Sequence, residues 1–186
     1  MLANVVDVWK QVSVVLATTV MFSAPAFGTD IVTLELQGGP AIPGDAAFVS
    51  AHAGLPADSI EVLSLQQGVS NSISVAGGVG KPSFSAFVFV KFFGASTPGL
   101  FLATAEGRNW TTAIINFYHA THVLQKYYTI TLTHAIVQSI QYADTEGTTL
   151  TTNATESLSL LYTQIQLHDL VSNQTSCWNI VSNKSC

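Results

Sequence analysis

Short runs in which apolar and polar residues alternate every second position, each closed by Gly, Pro, Asn or Asp, recur along this chain. That period suits β-strands and little else. In residues 30–36 (DIVTLEL), Ile31, Thr33 and Glu35 take one face and Val32, Leu34 and Leu36 the other. Gly38-Gly39-Pro40 and Ile42-Pro43-Gly44-Asp45 end this strand and open a long extended loop predicted to reach Asp58. Residues 59–67 (SIEVLSLQQ) carry apolar side chains on both faces, as a central or subunit-facing strand does. Gly77-Gly78-Val79-Gly80 marks a turn, and residues 83–93 (SFSAFVFVKFF) then set Phe87, Phe89 and Lys91 against Val88, Val90 and Phe92. Residues 111–118, 126–132 (continued by 135–142) and 157–167 complete the strands, with turns at 119–122 and 144–149. One segment departs from the pattern: Ser96-Thr97-Pro98 ahead of the apolar 99–105 predicts a short helix. A hydroxyl would cap it, proline would take its first turn, and Gly107 would close it. No internal repeat is evident. The expected fold is all-β: a compact barrel with one short α-helix and one long loop.

Targeting and composition narrow the function. Lys10 flanks a short apolar run at 12–22 (VSVVLATTVMF), and small residues follow at 23–28 (SAPAFG). The run is shorter than the about 20 residues a bilayer span takes, so 1–28 reads as a secretory signal peptide cleaved after Ala26 or Gly28. An uncleaved amphipathic N-terminal helix is the alternative. After leader removal no stable membrane insertion is expected, and the location is secreted, extracellular or periplasmic. Charged residues make up 9% of the 186, against roughly 25% in ordinary soluble domains. Such a surface is covered by Ser, Thr, Asn and Gln or buried against other subunits. Six Lys and Arg against 11 Asp and Glu, with no basic cluster, exclude nucleic acid as a partner. Cys177 and Cys186 both lie in the Ser/Asn-rich tail at 171–186, where export would let them form a disulfide. Asn109, Asn153, Asn173 and Asn183 each begin an Asn-x-Ser/Thr sequon and are the candidate glycosylation sites.

No residue is assigned a catalytic, cofactor-binding or metal role. His119 and His122 have the spacing of a metal pair on a helix, but in a hairpin that spacing separates them, and no acid or Cys stands nearby in sequence. His134 sits where the alternation of its strand is interrupted, and His52 and His168 have no visible partner. The phosphate-binding, dinucleotide and nucleophile-elbow motifs are missing. An enzyme is therefore not expected.

Five stretches, in order, resemble the haemolysin-coregulated protein family, the tube subunit of type VI secretion. They are DIVTLEL with Ile42-Pro43-Gly44-Asp45; SIEVLSLQQGVS (59–70); Gly80-Lys81 leading into SFSAFVFVK; Ser96-Thr97-Pro98-Gly99-Leu100 with Leu102-Ala103; and YYTITLTHAIVQSI with ESLSLLYTQIQL. The likeness covers 30–168, about three quarters of the chain. It implies a family-like barrel over 29–170, assembly into hexameric rings that stack into a tube or filament, and effector cargo or a tube-tip protein as partners. Two features depart from the family: its tube proteins are loaded without a Sec-type leader, and the tail from Asp169 onward has no recognised counterpart. The 40–58 loop, apolar and poor in charge, is the expected docking arm, through Ile42, Ala46, Ala47, Phe48 and Val49. A loop folded back on its own barrel is the alternative. For the function as a whole the alternatives are a secreted adhesive or ligand-binding β module, or a carrier ring for secreted effectors.

Overall fold

The computed structural model describes residues 30–46, 54–71, 80–120, 123–143 and 154–186. The predicted leader at 1–28, Ala47, Phe48, Val49, His52, His122, Asn153, the predicted 144–149 turn and most of the predicted 77–80 turn lie outside the described residues. Among the described residues, twelve strands and one full helix follow in the order β1 (Asp30–Gln37), β2 (Ile60–Val62), β3 (Ser64–Gln66), β4 (Val69–Ser70), β5 (Ser83–Phe84), β6 (Phe87–Phe92), α1 (Thr97–Ala105), β7 (Asn109–Ala120), β8 (Leu124–Ala143), β9 (Thr155–Leu161), β10 (Gln164–Asp169), β11 (Gln174–Asn179) and β12 (Lys184–Ser185).

The pairings close on themselves. β1 runs antiparallel to β7, β7 to β8, β8 to β9, β9 to β6 and β6 to β3. β3 follows β2 after Leu63 alone, whose N–H donates to Val90 O at 2.8 Å, and β2 returns to β1. The expected barrel is thus present, with the predicted 59–67 strand bent once at Leu63. Inward positions alternate as the period requires: Phe87, Phe89 and Lys91 on β6, and Glu156, Leu158 and Leu160 on β9, are buried. Phe87, Phe89, Leu158 and Leu160 meet Leu34, Ile60, Trp110, Ile115 and Leu132 in one core, which Leu100 and Ala103 of α1 cover. Each large apolar side chain buried in this way stabilises the fold by about 1.5–3 kcal/mol.

The C-terminal third differs from the sequence expectation. The predicted strand 157–167 is two strands broken at 162–163, because β8 changes partner. Its Tyr128–Thr133 part pairs with β10 and its Ile136–Ala143 part with β9. At the junction His134 takes φ 50°, and Thr163 donates both N–H and Oγ–H to Thr133 O. His134 is exposed and marks this corner. The tail is a further part of the sheet: β11 pairs with β10 and β12 with β11.

These additions correct the absence of a repeat. LVSNQTSC (170–177) and IVSNKSC (180–186) build the same turn twice. Asp169 Oδ1 accepts the Val171 and Ser172 N–H groups, and Asn179 Oδ1 accepts that of Ser182. Asn173 and Asn183 then take the left-handed φ values of 57° and 54° that Asn tolerates. Two copies of so short a unit escape any search for a long period.

Candidate functional site

The inward faces of β6 and β9 bring together the groups sequence reading did not place. Lys91 and Glu156 stand directly opposite in the ladder, both on the core side. Lys91 Nζ lies 3.0 Å from Glu156 Oε1 and 3.3 Å from Asp45 Oδ2, and also donates to Phe92 O. The three side chains retain 1%, 0% and 8% of their exposure, so this is one cation between two buried carboxylates. Asp45 reaches them from the Ile42-Pro43-Gly44-Asp45 turn. A Cβ on Gly44 would run into the carbonyl oxygens of Ala57 and Ser59, and one on Gly94 into Asp45 Oδ2, so glycine alone lets the turn sit this close.

The helix start joins the same network, and this corrects the predicted cap. Ser96 stands at the N-cap of α1 but makes no capping bond. Its Oγ–H donates to Asp45 Oδ2 at 2.9 Å. Thr97 Oγ1 accepts the Gly94 N–H at 3.0 Å and donates to Glu156 Oε1 at 3.0 Å. Asp45 Oδ1 accepts the Glu61 N–H at 3.2 Å. Charge-assisted bonds are stronger than a cap, and the hydroxyls go to the carboxylates. Glu156 Oε2 is buried with no hydrogen-bond partner. A signal for the site existed in sequence: Lys91 shares the parity of Phe87 and Phe89, and Glu156 that of Leu158 and Leu160.

A second polar cluster lies on the surface. His119 Nδ1 sits 2.8 Å from Asp30 Oδ1, Tyr127 OH donates to Asp30 Oδ2 at 3.2 Å, and the His119 and Tyr127 rings stack 4.0 Å apart. The hydrogen bond from His119, with help from Tyr127, holds the Asp30 carboxyl below its usual range. Among the described residues no group of three His, Cys, Asp or Glu is arranged to hold a metal ion.

Three comparisons bear on what this barrel is. Residues 17–168 match the sequence model described as type VI secretion system effector, Hcp. The chain belongs to the Hcp family. Its fold is that of solved Hcp structures. Hcp1 from Salmonella typhimurium is 19% identical with a TM-score of 0.63, over 84% of this chain and 99% of its own. Hcp1 from E. coli is 20% identical with a TM-score of 0.64, over 81% and 97%. Hcp1 from Flavobacterium johnsoniae is 11% identical with a TM-score of 0.55, over 78% and 97%. No curated protein sequence matches the chain. The Hcp match begins inside the segment read as a signal peptide, so the family pattern takes in residues 17–28.

The motifs that carried the resemblance are the ones the buried network ties together: Asp45 of the Hcp-like turn, Lys91 of SFSAFVFVK, Ser96-Thr97 of the helix start and Glu156 of the last stretch. The predicted docking arm is changed by the same packing. Ile42 is buried in the main core, and Ala46 in a second cluster with Ile31, Leu55 and Tyr118, so neither is free to reach a neighbour. Exposed apolar side chains gather instead around α1. Phe101 and Leu102 remain 56% and 55% exposed, and Phe93 and Tyr142, 46% and 51% exposed, meet edge to face at 5.3 Å. Phe101 and Tyr142 border a common hollow of about 170 Å³.

Of the remaining predicted residues, Cys177 and Cys186 are joined by a disulfide with their Cα atoms 5.3 Å apart. Asn109 is exposed at the start of β7, Asn173 is exposed in its turn, and Asn183 is half-buried. Beside the disulfide, Phe84, Phe87, Ile130, Ile165, Leu167 and Trp178 line an apolar cleft of about 240 Å³.

Proposed function

We propose that the chain is a secreted, self-assembling structural subunit whose rings, hexameric by analogy with the Hcp tube, stack into a tube or filament. The observation that carries this reading is the family match running through nearly the whole barrel, from residue 17 to 168. The closed barrel supports it, because it leaves no strand of its ring unpaired and so presents rigid faces for head-to-tail contact. The apolar belt of Phe93, Phe101, Leu102 and Tyr142 is where a neighbouring subunit would seat. Ala47, Phe48 and Val49 keep their place as the arm proposed to reach an adjacent ring. Export through the 1–28 leader, a filament outside the cell, and effector cargo or a tube-tip protein belong to the same reading.

Negative-stain microscopy and native mass of the purified chain test it: rings or tubes are expected, and a monomer at high concentration overturns it. Phe101→Asp is expected to lower the oligomer mass. An unpaired carboxylate buried in an interface costs several kcal/mol, whereas at an exposed site the fold loses within about 0.5 kcal/mol. Phe48→Asp tests the arm in the same way. The cleft beside Trp178 favours a second reading, a ligand-binding β module. A monomer whose tryptophan fluorescence responds to apolar ligands would select it.

A further inference from the structure

We infer that Lys91 and Asp45 become joined by an intramolecular amide bond, with Glu156 as the proton-transfer group. The inference rests on the buried cluster alone and is independent of the assembly reading. An ammonium and a carboxylate lose one water when they form an amide, so the step balances with no oxidant, reductant or further reactant. In water the solvated ions are favoured. Here both partners are stripped of solvent, which raises the charged state relative to a neutral amide, and the released water leaves to bulk. Holding the two groups in place replaces a bimolecular encounter, an effect that reaches effective molarities of about 10⁵–10⁸ M in well-oriented systems.

The contacts divide the roles. Lys91 Nζ lies 3.3 Å from Asp45 Oδ2 and 3.0 Å from Glu156 Oε1. Asp45 Oδ1 is held by the Glu61 N–H, which polarises the carbonyl and would stabilise negative charge on that oxygen during attack. Oδ2 accepts the hydrogen bond of the Ser96 hydroxyl and is the oxygen placed to leave as water. Glu156 stands opposite Lys91 in the ladder, with Oε1 on the amine and Oε2 buried without a partner. It takes the two protons that Nζ loses, one after the other, and passes each to the departing oxygen. The Nζ–Cγ bond forms, the Cγ–Oδ2 bond breaks, and Glu156 ends as it began. With each of its oxygens held by a donor, Asp45 is the acyl partner; Glu156, with one oxygen unengaged, is the shuttle. The bond would clamp the turn before β2 to β6 and close the chain from residue 45 to 91 into a loop that unfolding cannot open.

Intact mass of the full chain, denatured and reduced, is expected to fall short of the sequence by one water. Peptide mapping should then give a branched peptide linking Lys91 to Asp45. In Glu156→Gln, which keeps the side chain's size, the branched peptide should disappear and the full mass return. A wild-type chain at full mass with an unmodified Lys91 amine overturns the inference. So does a water loss mapped to the Asp45–Ala46 peptide alone, the mark of a cyclic imide. A Glu156→Gln chain that still carries the branch overturns the role of Glu156. If that variant does not fold, the wild-type branched peptide decides the bond by itself, and Glu156→Asp tests the shuttle through the rate at which the branch appears.

Discussion

Asp45 and Asp30 are both aspartates held by a nitrogen base and a hydroxyl, yet they sit in opposite surroundings. Asp45 keeps 8% of its side-chain exposure and meets Lys91 and Ser96; Asp30 keeps 49% and meets His119 and Tyr127. Water around the second cluster screens its charges and substitutes for any partner that is lost. In the first nothing substitutes, because each group there was desolvated on the assumption of the others. The buried cluster is therefore all-or-none, joining turn, helix, β6 and β9, while the surface one trims the ends of β1, β7 and β8. Similar groups thus fix the barrel in one place and adjust it in the other.

Breaking the buried cluster should have the largest effect. Lys91→Met leaves two carboxylates facing each other in the core, and removing one partner of a buried pair costs about 3–5 kcal/mol. Urea unfolding monitored by circular dichroism should show that loss or an unfolded chain. A loss below about 1 kcal/mol would mean that water reaches the site, and that its polar groups resemble the surface cluster after all.

The disulfide tests a boundary between regions in the same spirit. Cys177→Ser with Cys186→Ser opens a loop of sequence separation 9, worth roughly 2–3 kcal/mol in the chain-entropy model. That loss should fall mainly on β11 and β12, whose ladder joins the barrel through β10 while Trp178 packs on the core. Hydrogen exchange should quicken there while the amides of β6 and β9 keep their protection. Equal quickening in both would make the meander part of the cooperative barrel.

How much of this could be read from sequence follows from the range of each signal. The strands of the barrel were legible because alternation is local: DIVTLEL and FVFVKF show their faces without help from elsewhere. The inward Lys91 and Glu156 are legible in parity, but only the ladder shows that each supplies the other's partner. The break at 162–163 was not legible, because its cause is the kink at His134 in the neighbouring strand. The polar tail hid two strands because its pattern is held by turns and a disulfide instead of an apolar face. That Ile42 and Ala46 face inward was not legible either, because an apolar loop looks the same in sequence whether it packs on its own core or on a neighbour.

The smallest effect belongs to the surface cluster, and its sign is fixed by pH. Asp30 is held below its usual range by His119, so it contributes stability above the unfolded carboxyl pKa and loses it as pH falls through the folded value. Asp30→Asn should thus weaken the fold slightly at neutral pH, within the about 0–1 kcal/mol typical of exposed pairs. The difference should vanish once acid has protonated the wild-type carboxyl. Glu35 supplies the opposite case on the same strand. Burial, aided by the charge of Asp58, raises its carboxyl above the usual range, although Asn116 donates to Oε1 at 2.6 Å. Its contribution is present at low pH and lost as pH rises through the folded value, so Glu35→Gln should gain stability at neutral pH and little in acid. Urea midpoints measured from acid to neutral pH for the two variants should therefore diverge from the wild type in opposite directions as pH rises. If both curves moved the same way, environment would not decide the sign, and the contrast between half-buried and exposed carboxylates in this barrel would fail.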